Sequence, residues 1–163
     1  MLEELKKLYV RELNTLKKEL LFFLTDEQIW ETPEGITNSA GNLILHVCGN
    51  LRFFIGNKLG ETGYIRDRET EFSSKNLSRA ELLAELARTI KEVEESLSRI
   101  SEESLSENYP IEVGGVILTK KQFLLHLEAH LAFHVGQVGY LRRIVCMDNR
   151  STNPLSVKEL DKE

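Results

Sequence analysis

Three of the chain's four histidines fall within residues 123–143, FLLHLEAHLAFHVGQVGYLRR. His126, His130 and His134 stand at successive four-residue intervals. An α-helix advances about 100° per residue, so an i, i+4 pair lies one turn apart on nearly one face, and two imidazoles placed this way can reach one ion. Phe123, Leu127, Leu131, Val138 and Leu141 follow that face as a core-facing stripe. A histidine on such a stripe points into the protein, where a bare imidazole needs a partner. A divalent metal is one such partner, although a single histidine on an apolar face is more often a satisfied core residue.

The fourth histidine, His46, lies beside Leu43, Ile44, Val47 and Leu51 in a second amphipathic segment. His46 with His130 and His134 would supply three neutral nitrogens and leave one position of a zinc-like ion open to water or substrate. Such an ion lowers the pKa of bound water and can hold a thiol as thiolate. Nitrogen-only ligation suits Zn, Ni, Co or Fe, with zinc or nickel expected. The third ligand requires the two helices to pack in register. His126, rotated about 80° from His134, reads as a residue behind the ligands or on the surface. Asn42 and Asn50, one turn to either side of His46, are candidates to hydrogen-bond a ligand.

Other residues have two readings each. Arg66 and Arg68 offer guanidinium groups to a substrate carboxylate, or pair internally with Glu69 or Glu71, the internal pairing being favoured. Trp30, just before the Pro33–Gly35 break, lines a pocket or plugs the end of the helices. Cys48 lies about 200° around the helix from His46 and cannot share an ion with it. Cys48 and Cys146 read as two buried thiols in a reducing cytoplasm. There is no HExxH, because Glu128 lies two before His130. The Glu-x-x-His pairs of a di-iron bundle, the GxSxG nucleophile elbow and Gly-rich phosphate loops are also absent.

The elements that must position these residues are helices. Leucines at helical spacing predict a first helix over about 3–24, and Thr25 to Gln28 has capping-box form. Asn38 or Ser39 caps a second helix over about 40–59. Residues 60–75 lack periodicity and read as a long charged loop. Ser78 to Glu81 opens a third helix, to about 99, and Thr119 to Gln122 opens the last, to about 146. Between them, YPIEV and VILT around Gly114-Gly115 predict a short β-hairpin. The expectation is an all-α protein: one four-helix bundle over 1–147, then a polar tail over 148–163 that is ordered only if it docks.

Composition agrees with one globular domain. The 163 residues are 41% hydrophobic and 29% charged, with a formal charge of −5. An acidic surface without basic runs disfavours nucleic acid. No apolar run approaches the roughly 20 residues of a membrane helix, and no secretory signal opens the chain, so a cytoplasmic protein is expected.

The residues then match something specific. His130-Leu-Ala-Phe-His134-Val-Gly136-Gln137 resembles the H-x3-H-x-G-Q signature on the last long helix of DinB/YfiT-like proteins. Asn38 through His46, with Gly49-Asn50-Leu51-Arg52, is similar to that superfamily's second-helix histidine motif. Arg66-Asp67-Arg68 through Glu71-Phe72 resembles the R-D-R-x-x-E-F loop of one uncharacterised branch. The resemblance runs from the first helix to about Arg143. It implies a four-helix bundle with a three-histidine divalent metal site at His46, His130 and His134. Gly136 would allow close helix packing, and Gln137 would support the site or the bundle. It further implies homodimers, and a metal-dependent transferase or isomerase acting on a small molecule with a low-molecular-weight thiol such as bacillithiol or mycothiol. A metal-dependent hydrolase, and a non-catalytic stress or interaction protein whose metal staples two helices, are the alternatives.

Overall fold

The computed structural model describes residues 1–161. In chain order its helices are α1 (Leu2–Phe22), α2 (Ala40–Leu51), α3 (Arg68–Ser73), α4 (Arg79–Leu97) and α5 (Lys120–Cys146). The all-α class expected from periodicity holds. Caps set the starts. The Ser39 hydroxyl accepts from the Asn42 amide, and Ser78 with Glu81 and Thr119 with Gln122 form reciprocal capping boxes. α2 runs on through a π-helical stretch, Arg52–Asn57, and a last α turn, Lys58–Gly60. The wider turn loosens the carbonyl ladder, and the Phe54 carbonyl accepts from the Tyr109 hydroxyl at 2.7 Å.

α1 and α2 each pack against both α4 and α5. Tyr9, Leu13, Leu16 and Leu20 of α1, Ile44, Val47 and Leu51 of α2, Leu82, Leu86 and Val93 of α4, and Phe123, Leu127, Leu131 and Val138 of α5 fill one apolar core. The predicted α5 stripe is therefore buried along its length, Leu141 included. No helix among the described residues is long and apolar enough to cross a membrane.

Two expectations change, and the condition set for the tail is met. Residues 60–75 are not all loop, because α3 forms within them. Asp67 caps its start, accepting from the Thr70 amide at 3.1 Å. The hairpin over 109–119 is not a pair of strands. It is reduced to isolated antiparallel bridges, Asn108 with Thr119 and Val113 with Val116, around Gly114 and Gly115 at φ 61° and 83°. Pro110 has no N–H to donate, so the ladder stops between the two bridges. The described part of the tail docks: Arg142 donates to the carbonyls of Asp148 and Arg150, and the Thr152 hydroxyl donates to Glu19 at 2.6 Å.

Candidate metal centre

α2 and α5 meet with His46 facing His130 and His134. His130 Nε2 lies 3.3 Å from His46 Nε2 and 3.1 Å from His134 Nε2. One nitrogen from each ring lies within 4.8 Å of the other two. Two tetrahedral ligands with nitrogen about 2.0–2.1 Å from zinc are separated by about 3.4 Å, so the spacing is that of a ligand set. His46 is buried, and the other two are half-buried.

The far sides of two rings decide which nitrogens carry protons. Glu71 Oε2 lies 3.0 Å from His46 Nδ1, and the carboxylate can only accept, so Nδ1 holds the proton. Arg66 Nη2 lies 3.3 Å from the same nitrogen, but it donates to Glu71 at 2.8 Å. The His134 Nδ1–H donates to Gln137 Oε1 at 2.7 Å. In their neutral forms both rings therefore present a bare Nε2 lone pair to His130, and at most one proton, on His130 Nε2, then lies among the three nitrogens. Converging lone pairs of this kind fit a cation and repel one another without one.

Electrostatics hold His130 and His134 neutral. Burial, with His134 and His46 close by, lowers the His130 pKa to about 4. Burial also lowers His134, against the opposing bond to Gln137. Burial alone would raise the Glu71 carboxyl, but the hydrogen bonds from Arg66 and His46 outweigh it and bring the pKa below the usual range. Neutral imidazoles backed by an ionised carboxylate are the protonation state that a divalent ion requires.

Glu71 reaches His46 because α3 lies against α2 where α2 has no side chain. A Cβ on Gly49 would stand 2.0 Å from Glu71 Oε1. Asn42 ties the far end of α3 down, its amide donating to the carbonyls of Glu71, Phe72 and Ser74 at 3.1, 3.2 and 2.9 Å. Asn42 thus holds the segment that carries Glu71 instead of touching a histidine. Asn50 bonds no histidine either, and its Oδ1 is buried without a partner among the described residues.

The other candidates spread around this centre. Arg66 pairs internally with Glu71 through two parallel bonds, 2.6 and 2.8 Å, which is the favoured alternative. Arg68 is exposed, its guanidinium carbon 5.6 Å from the Phe72 ring centre, and that ring lies 4.9 Å from His46. His126 is exposed and stacks on Phe123 at 5.9 Å, outside the convergent group. Trp30 plugs: its indole N–H donates to the Leu77 carbonyl, and its ring covers Gly41. Gly136 does not serve close packing, because a Cβ there would meet nothing within 4 Å. Cys48 is buried with its thiol pushed up to about 12, which makes it an inert core residue.

Sequence reasoning singled out the three histidines, and an internal pairing of Arg66 or Arg68 with Glu69 or Glu71, but missed Glu71 as the orienting group of His46, and Gly49 as its seat. The available signal was Gly49 one turn after His46, which is where another element can approach closely.

A model of the family described as "Protein of unknown function (DUF1572)" matches residues 1–159. No curated protein matches the sequence.

Proposed function

Since the chain belongs to the DUF1572 family, whose description assigns no activity, we propose from the site itself that it binds one divalent metal through His46, His130 and His134. The observation that carries this reading is the pair of Nδ1 tethers, Glu71 on His46 and Gln137 on His134, which turn two lone pairs onto His130. The bundle-like packing of α1, α2, α4 and α5 supports a DinB-like four-helix bundle in which the site bridges the second and last long helices.

The activity that fits best is a transferase using a low-molecular-weight thiol, such as bacillithiol, in a cytoplasmic homodimer. A bound divalent ion supplies Lewis acidity that keeps a thiol in its nucleophilic form. The chain's own residues do the rest. Glu71 orients His46, Gln137 orients His134, and the low pKa of His130 keeps it free of a competing proton. A hydrolytic role needs a free carboxylate base beside the histidines, and Glu71 is committed to Arg66 and His46. A purely structural staple would leave no adjoining space, yet His134 and Gln137 line a cavity.

Elemental analysis of protein purified without an affinity tag tests the reading. About one divalent ion per chain is expected, lost in His130→Ala with helicity intact. Thiol-dependent turnover should saturate and vanish in the same variant. A metal ratio near zero, with competent refolding in chelator, would overturn the proposal.

A further inference from the structure

A cavity of about 400 Å³ opens beside His134. His134, Gln137, Tyr140, Leu141 and Ile144 of α5 line it together with Leu43 of α2. The 35–38 segment completes the lining. That segment is set by a turn in which the Ile36 amide donates to the Pro33 carbonyl at 2.9 Å, with Gly35 at φ 81°. The size is that of a small-molecule site, and the wall mixes apolar side chains with the uncharged polar groups of Thr37, Asn38, His134, Gln137 and Tyr140.

The charge of the wall is its distinguishing feature. The chain has 21 Lys and Arg and 26 Asp and Glu, and none of those among the described residues lines this cavity. The cations of the 66–68 segment do not serve it. Arg66 is taken by Glu71, and Arg68 lies over Phe72. A carboxylate at the end away from His134 would lose hydration without meeting a counter-charge, which is unfavourable. Gln137 gives its Oε1 to His134, and its amide NH2 has no partner among the described residues. Thr37, Asn38 and Tyr140 add further uncharged polar groups to the wall.

We infer that this cavity binds an uncharged small molecule with a polar head at His134 and Gln137, and that it disfavours a carboxylate at the end away from them. This rests on the metal reading above and refines it: the cavity receives the electrophile, whereas an acidic thiol would have to approach from outside it.

A matched pair of probes tests the inference: 4-phenylimidazole, and the same molecule carrying a carboxylate on the distal ring carbon. The protein is loaded with cobalt(II), whose visible spectrum reports a nitrogen reaching the ion. The uncharged probe should bind at least about tenfold more tightly, a difference of about 1.4 kcal/mol. Ile144→Lys changes an exposed position of the wall. It should narrow or reverse that ratio while cobalt stays at one per chain. Equal binding of the two probes, tighter binding of the acid, or a ratio indifferent to Ile144→Lys would overturn the inference. Should cobalt fail to load, the metal reading falls by itself, and methyl NMR of the metal-free protein decides the cavity. Shifts at Ile36, Leu43 and Ile144 with the uncharged probe alone support it, and shifts elsewhere, none, or the same with both probes overturn it.

Discussion

At the scale of single residues, the centre depends on which nitrogen of each ring holds a proton. Glu71 settles this for His46, and Gln137 for His134. Glu71→Gln removes the charge that supports His46 and should weaken zinc binding about 10–100-fold, read by competition with a chromophoric chelator. An unchanged affinity would mean that the carboxylate only packs. The neutral state of His130 also has a consequence for stability. An unfolded histidine titrates near 6.5, whereas His130 in the fold titrates at about 4. Between those values the unfolded chain binds a proton that the folded chain refuses. The metal-free protein should therefore lose stability as the pH falls through that window, and keep this contribution above it. Denaturation midpoints measured from pH 7 to 4.5 check the sign, and the slope should shrink in His130→Gln.

At the scale of elements, the important contact is α3 on α2. Six residues are too few to hold a helix by themselves, so α3 exists because Asp67 caps one end and Asn42 holds the other. Gly49 leaves the room that Glu71 fills. Gly49→Ala should displace the carboxylate. It should cost about 1–3 kcal/mol of stability, as overpacking does, and reproduce the weak metal binding of Glu71→Gln. Calorimetry and chelator competition on one sample give both numbers; wild-type values in both would remove the argument for close approach. The long helices were legible because apolar residues recur each turn and Ser39, Ser78 and Thr119 cap them. α3 was not, because it buries only Glu71 and has no apolar period to read. The hairpin failed for a related reason. Gly-Gly dictates a turn, but the ladder on either side needs N–H groups that Pro110 cannot supply.

At the scale of the molecule, α1, α5 and the tail are joined by a buried charge pair. Arg142 Nε donates to Glu19 Oε2 at 2.8 Å, the side chains being 0% and 2% exposed. Arg142→Met should cost about 3–5 kcal/mol, because Glu19 is then buried without its counter-charge. Adding Glu19→Leu should recover most of that loss in chemical denaturation, since the penalty lies in the orphaned charge. Failure of the double variant to recover would place the cost in packing. Metal coupling belongs to the same scale. Ligands on α2 and α5 are brought together only by folding, so free zinc at 100 times its Kd should stabilise the protein by about 2.7 kcal/mol. A chelator should reverse the gain in thermal melts; a melting temperature indifferent to both would contradict a site shared between helices.

What the sequence determined by itself was local. Helix periods, caps and the His130–His134 pair all act within one turn, where 100° per residue is a sufficient ruler. It also marked His46, and an internal pairing of Arg66 or Arg68 with Glu69 or Glu71, as candidates. Only the tertiary structure decided that His46 meets His130 across 84 residues and Glu71 across 25. It alone decided that Asn42 serves α3, that Arg142 and Glu19 are buried together, and that the cavity beside His134 has no charged wall among the described residues. Those outcomes depend on the register and approach of whole helices, which arise from summed packing over the core and from one missing side chain at Gly49, and no local spacing encodes them.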